Sequence, residues 1–229
     1  MPRDVLVVAA HSDDEALGCG GTIARHAGAG DRVRLLFLTD GVGARGDGGA
    51  APRRDAARAA AAVLGAADVV QLDFPDNRID AVPLLDVVQA IEGAAGAPDL
   101  IYTHHGGDLN VDHRICHRAV LTAFRPMSGS PVRAILGFEV ASSTEWAFGT
   151  PDPFQPQHFV DIAATLDAKM RALDCYAAEM RDFPHPRSAR ALRALAEWRG
   201  ASVGLAAAEA FTVIRQIDAG PGPNPKDDT

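Results

Sequence analysis

Asp4-Val5-Leu6-Val7-Val8-Ala9-Ala10 decides the fold, because it is a β-branched apolar run with no polar alternation. That is the pattern of a strand covered on both faces, as the central strands of a parallel sheet are. Outward from it, His11-Ser12-Asp13-Asp14 forms a polar stop, and Glu15 to Ala29 has helical composition closed by Gly28 and Gly30. Arg32 to Thr39 reads as a second strand, followed by a Gly-rich loop from Asp40 to Gly49. Pro52 opens an Ala-rich helix to Gly65, and Asp68 to Leu72 is a third strand. The alternation continues with a helix at Leu84–Ala95, a strand at Leu100–Thr103, a helix at Val111–Phe124 and a strand at Arg133–Val140. It predicts an α/β fold: a Rossmann-like, doubly wound, mostly parallel sheet with helices on both faces. A strand at His158–Ile162 and helices over Ala163–Met180 and Ser188–Ala208 complete a single domain at 1–217. The Pro/Gly-rich residues 218–229 read as a flexible tail.

In such a sheet the ligand site lies at the carboxyl ends of the strands. That picks out the loops His11–Asp14, Asp40–Gly49, Phe74–Asp80, His104–Asp112 and Ala141–Trp146. Composition narrows the ligand. A net charge of −8 over 229 residues, with no concentrated basic stripe, argues against nucleic acid. No apolar stretch reaches the roughly 18 residues of a membrane span. The start, Met1-Pro2-Arg3-Asp4, lacks the features of a signal peptide. Three scattered cysteines, Cys19, Cys116 and Cys175, fit reduced thiols in the cytoplasm. Arg outnumbers Lys 20 to 2, which reads as coding bias.

His11-Ser12-Asp13-Asp14-Glu15 carries the strongest chemical signal. Three adjacent acids need a compensating cation or a helix N-terminus. Capping accounts for Ser12, Asp13 and Glu15 but leaves His11 without a role. A histidine and a carboxylate at a strand end are natural ligands of a borderline divalent metal, and the chemistry favours a metal over capping alone. A third ligand has to come from another strand-end loop, and the stretch from Thr103 to His113 offers candidates. His113 and His117 are spaced like a zinc-protease pair, but Arg114 stands where that motif needs Glu, so His117 reads as a surface or packing residue. Gly18-Cys19-Gly20-Gly21-Thr22 is a poor dinucleotide fingerprint: the third glycine would fall on Ile23, and the acids at 13–15 would face a pyrophosphate. Close packing of the first helix on the sheet explains these glycines better. Ser12 lacks the elbow of a nucleophilic serine.

His11-Ser12-Asp13-Asp14-Glu15 resembles the His-Pro-Asp-Asp-Glu signature of the PIG-L/LmbE-like zinc-dependent de-N-acetylases. Leu17–Thr22, Leu38–Gly41, Pro75–Arg78, Asp108–Arg114, Ser143–Trp146 and Ala208–Phe211 resemble further stretches of bacterial members. The resemblance implies His11, Asp14 and His113 as ligands of Zn2+, with Fe2+ as the alternative metal. It implies Asp13 as general base, with Asn110 and Asp112 also catalytic. Arg53, Asp76, Asn77 and His104 are the implied substrate-binding residues. The implied reaction is hydrolysis of an N-acetyl or related N-acyl group on a small-molecule amino sugar or glycoconjugate by water activated on the metal. Two departures matter. Ser12 replaces the usual Pro, and Asn110 stands where many members carry an oxyanion-stabilising His; Asn can donate a hydrogen bond there but cannot act as an acid. A nucleotide or nucleotide-sugar enzyme, or a non-catalytic metal- or carbohydrate-binding module, are the other readings, and a homo-oligomer is left open.

Overall fold

The computed structural model describes residues 2–39 and 50–218. Strands and helices alternate as β1 (Asp4–Ala9), α1 (Asp14–Gly28), β2 (Arg32–Thr39), α2 (Ala50–Leu64), β3 (Asp68–Phe74), α3 (Leu84–Ala95), β4 (Leu100–His104), α4 (Val111–Ala123) and β5 (Ala134–Phe138). β6 (His158–Asp161), α5 (Leu166–Asp174), α6 (Ala189–Ala201) and β7 (Ala208–Gln216) follow. The sheet order is β3-β2-β1-β4-β5-β7-β6, parallel from β3 to β5, with β7 antiparallel to both its neighbours.

β1 is central for the reason its sequence gives. Val5, Val7 and Ala9 enter one hydrophobic core, with side chains of α1, α2, α5 and α6. Leu6, Val8 and Ala10 enter the other, with α3 and α4. Each large side chain buried this way contributes roughly 1.5–3 kcal/mol, so a polar residue on either face of β1 would be costly. The doubly wound α/β architecture is therefore observed. β1 and β4 are sheet neighbours although helices and two strands separate them in the chain, so their carboxyl ends frame a topological switch point.

The C-terminal third departs from expectation. The last helix stops at Ala201, and Ala208–Gln216 is a strand slotted between β5 and β6. The helix expected from Ala163 to Met180 runs only from Leu166 to Asp174. Part of the reason lies in α1, which breaks at Cys19 (φ −144°, ψ 23°). A break exposes backbone groups that need partners. Glu209 of β7 accepts the N–H groups of Gly21 (3.0 Å) and Thr22 (2.7 Å), and Lys169 of α5 donates to Leu17 O (2.8 Å) and to Glu209 (2.6 Å). The glycines here pack as expected: a Cβ on Gly21 would lie 2.8 Å from Ile162, and one on Gly18 would meet the Phe138 ring. The Asp40–Gly49 loop and the expected tail beyond Asp218 lie outside the described residues.

Candidate metal centre

The switch point gathers residues from both strand ends. His11 follows β1, Asp14 opens α1, and His113 lies in the first turn of α4, just past β4. All three are buried, and His11 Nδ1, His113 Nε2 and an Asp14 carboxylate oxygen lie within 4.8 Å of one another. Asp14 Oδ2 stands 3.1 Å from His11 Nδ1 and 3.3 Å from His113 Nε2, and the two nitrogens are 3.3 Å apart.

Neighbouring carboxylates orient both rings. His11 Nε2 faces Asp112 and Asp76, each at 3.2 Å, so it can keep its proton there and leave Nδ1 to a metal. His113 Nδ1 faces Asp108 at 3.0 Å, so its Nε2 can do the same. Two imidazole nitrogens and a carboxylate oxygen thus point at one spot, where a cation, proton or metal, holds them together. Among the described residues Asp14 Oδ1 also has no hydrogen-bond partner although it is buried. The donor set, two imidazoles and one carboxylate, suits a catalytic zinc with an open position. The surrounding carboxylates also raise the proton affinity of both rings. Burial works against charge on His11, but Asp112, Asp14 and Asp76 outweigh it and hold its pKa well above the usual value. His113 is likewise held at about 9, by Asp14 and Asp108 against burial. Asp14 stays well below the carboxylate range although burial pushes it up, because the His113 and His104 rings lie beside it.

Asp13 is the cap residue of α1 and sits at φ 126°, outside the regions open to ordinary residues. Its N–H donates to buried Glu15 (3.0 Å), which also accepts from Tyr176 Oη (2.7 Å). Its carboxylate accepts from Arg187 Nη1 at 2.8 Å. Burial raises the Asp13 pKa to about 6, with Arg187 pulling the other way and Asp14 adding to the rise. Among the described residues only Asp13, Asn77 and Ser142 are non-glycines at positive φ, and all three border this centre. Strain of this kind, on the order of 1–3 kcal/mol each, collects at functional sites.

The other expected residues take varied places. Asp112 accepts from the N–H groups of Asn77 (2.7 Å) and Ile79 (3.1 Å) besides facing His11, so it ties the turn after β3 to that ring and lies behind it. Asp76 accepts from the side chain of Asn77 (2.9 Å). Asn110 caps α4: its Oδ1 accepts the Asp112 N–H at 2.8 Å, and its Nδ2 donates to Asn77 Oδ1 at 3.0 Å. That leaves a single amide hydrogen for an oxyanion. His104 is wholly buried, accepts the Ala10 N–H at 2.9 Å, and stacks on His113 with ring centroids 3.9 Å apart, so it forms the floor of the centre and offers no face to a ligand. Arg53 pairs with Glu179. His117 bonds His104 O at 2.8 Å, as befits a packing histidine.

Some site residues lie in stretches the sequence singled out without giving them a role, and others were missed altogether. Asp108 holds His113, and Ser143 and Thr144 hold Asp108. Arg187, Glu179, His185 and Trp146 join Asn110 and His113 around a cavity of about 170 Å³. The five-residue step from Asp108 to His113 was a usable signal, since a metal-bound imidazole commonly donates to a carboxylate. Arg187 had none: it lies between α5 and α6, far from any motif.

Comparison with known proteins agrees with this geometry. A family model described as "PIG-L: GlcNAc-PI de-N-acetylase" matches residues 6–124. The chain belongs to the PIG-L family. The match spans β1 to α4 and so includes His11, Asp14 and His113, but it ends before Ser142, Glu179 and Arg187. The uncharacterized deacetylase YaiS of Escherichia coli K12 is 30% identical over 160 residues, 67% of this chain and 81% of its own. Diacetylchitobiose deacetylase of Thermococcus kodakarensis is 27% identical over 229 residues, 94% of this chain and 84% of its own. The 4-oxalmesaconate hydratase of Pseudomonas putida is 27% identical over 207 residues, 77% of this chain and 74% of its own. The chain is thus an enzyme-family member with deacetylase relatives, and one relative carries a different reaction.

Proposed function

We propose that this protein is a zinc-dependent N-deacetylase that removes the acetyl, or a related acyl group, from an N-acylated amino sugar or its conjugate. The observation that carries this reading is the convergence of His11 Nδ1, His113 Nε2 and the Asp14 carboxylate beside a second, non-converging carboxylate, Asp13. His11, Asp14 and His113 would hold the metal, which when bound supplies Lewis acidity and acidifies water. Iron(II) is the alternative ion.

The chain's own residues then handle the protons. Asp13, with its pKa near 6, is ionised at neutral pH and close to the operating range of a general base. It takes a proton as the water oxygen bonds to the carbonyl carbon. The same carboxyl group returns that proton to the nitrogen as the C–N bond breaks, leaving acetate and a free amine. Asp112 and Asp108 act through the imidazoles they orient. Asp76 and Asn77 border the centre, Arg53 is linked to it through Glu179, and these three are the groups assigned to the sugar. The cysteines are all unpaired, which supports a reducing compartment such as the cytoplasm. No described helix is long and apolar enough to cross a membrane.

The test is acetate release from a panel of N-acetylglucosamine conjugates by zinc-loaded and chelator-treated protein. Loaded protein should turn over at least one of them, and chelation should abolish it. Asp13→Asn should keep its metal and lose about 10²-fold or more in turnover. Zinc binding without acetate release, accompanied by hydration of an unsaturated dicarboxylate, would replace the deacetylase by a hydratase.

A further inference from the structure

Amide hydrolysis places negative charge on the carbonyl oxygen, and a site needs a donor for it besides the metal. Asn110 stands at the expected position, but its Oδ1 caps α4 and its Nδ2 serves Asn77. Arg187 is differently placed. Its Nε donates to Ser142 Oγ (2.7 Å) and Ala141 O (3.3 Å), and its Nη1 to Asp13 (2.8 Å). Among the described residues Nη2 has no hydrogen-bond partner, while the side chain lines the same cavity as His113. Both side-chain partners belong to strained residues next to groups of the metal centre: Asp13 precedes Asp14, and Ser142 precedes Ser143, whose Oγ lies 3.5 Å from His113 Nδ1. A guanidinium anchored on Ala141, Ser142 and Asp13, with Glu179 3.8 Å from Nη1, lines a cavity shared with His113 and keeps Nη2 for an anion.

We propose that Arg187 is a catalytic residue that binds the substrate's carbonyl oxygen through Nη2 and stabilises the charge that develops there, in place of Asn110. This rests on the deacetylase reading. In the zinc-loaded protein Arg187→Gln should lose about 10²–10³-fold in kcat with little change in KM and an unchanged zinc content. Asn110→Ser keeps a capping oxygen and removes the amide, and should lose far less. In Arg187→Ala, added methylguanidinium should restore part of the lost rate, which a folding defect would not allow. Methylphosphonate, a tetrahedral anion of the size of the reacting centre, gives a readout independent of turnover: calorimetry should show at least about tenfold weaker binding to Arg187→Gln than to wild type, the scale of a charge-assisted hydrogen bond. Full turnover in Arg187→Gln, or a loss in Asn110→Ser as large as in Arg187→Gln, would overturn the assignment. If wild type releases no acetate from any substrate, the deacetylase reading falls. The phosphonate comparison then decides Arg187 alone, and equal affinities would refute its role as an anion donor.

Discussion

Two buried ionic clusters flank the first half of α1, and they are built to opposite rules. At the break in the helix, the Lys169 ammonium meets Glu209 and the Leu17 carbonyl, and both Glu209 oxygens accept backbone N–H groups. The charges and the severed backbone satisfy one another. At the N-terminus, His11, Asp14 and His113 turn ligand atoms towards each other, and among the described residues Asp14 Oδ1, Ser12 Oγ and His104 Nδ1 are buried without hydrogen-bond partners. A closed network holds chain segments together; a network left open at its centre is shaped for something that is not protein. Burial of charge alone would not tell the two apart, because both are deep in the fold.

This contrast is broken most decisively at the open cluster. His113→Ala should abolish metal binding and activity together while the far-ultraviolet circular dichroism stays native. His117→Ala should leave metal content intact. Retained zinc in the first variant, or lost zinc in the second, would show that the ligands have been misassigned.

The closed cluster should respond in stability and not in metal. Lys169→Met strands the Glu209 carboxylate in the interior, and unpairing a buried charge costs about 3–5 kcal/mol. Denaturant midpoints should fall accordingly, with zinc stoichiometry per folded molecule unchanged. Adding Glu209→Gln should recover part of the loss. A stability change under about 1 kcal/mol in Lys169→Met would mean that the pair is not the brace described here.

The smallest effect is in pH. Without metal, the His113 pKa of about 9 exceeds its ordinary 6.5, so protonation favours the folded state below that ordinary value. The contribution fades as pH rises through about 9. Zinc needs the same Nε2 free of its proton, so loading near neutral pH should release protons and tighten as pH rises. Calorimetry in buffers of differing ionisation enthalpy would detect the release. An affinity flat over this range would contradict the proton competition.

Much of this was legible in the sequence where local pattern and global fold agree. Asp4–Ala10 announced a central strand, and the acids that follow it announced a site at its carboxyl end. Two of the proposed metal ligands, His11 and Asp14, lie in a run that stands out because like charges crowd together, and the third, His113, entered through the family resemblance. What was hidden depends on contacts distant in sequence. Ala208–Gln216 reads poorly as a strand because Glu209 interrupts its apolar start, and a buried Glu209 makes sense only once its backbone partner Gly21, 188 residues earlier, is known to lie beside the break in α1. The bond that uses one amide hydrogen of Asn110 could not be seen either, since its partner Asn77 arrives from the turn after β3. Arg187 reaches Asp13 across 174 residues, and nothing in Pro186-Arg187-Ser188 sets it apart from the other 19 arginines.

The central claim is that His11 faces a metal with one nitrogen and a carboxylate brace with the other. The residues allow a second grouping, His11 Nε2 with Asp76 and Asp112, in which these roles are exchanged. Asp112 already receives two backbone N–H groups, which marks it as the brace. A crystal structure of the zinc-loaded protein decides between them. Zinc should be bonded at about 2.0–2.2 Å to His11 Nδ1, Asp14 and His113 Nε2, with Asp112 still on His11 Nε2. Zinc on His11 Nε2 between Asp76 and Asp112, with His113 unligated, would contradict it.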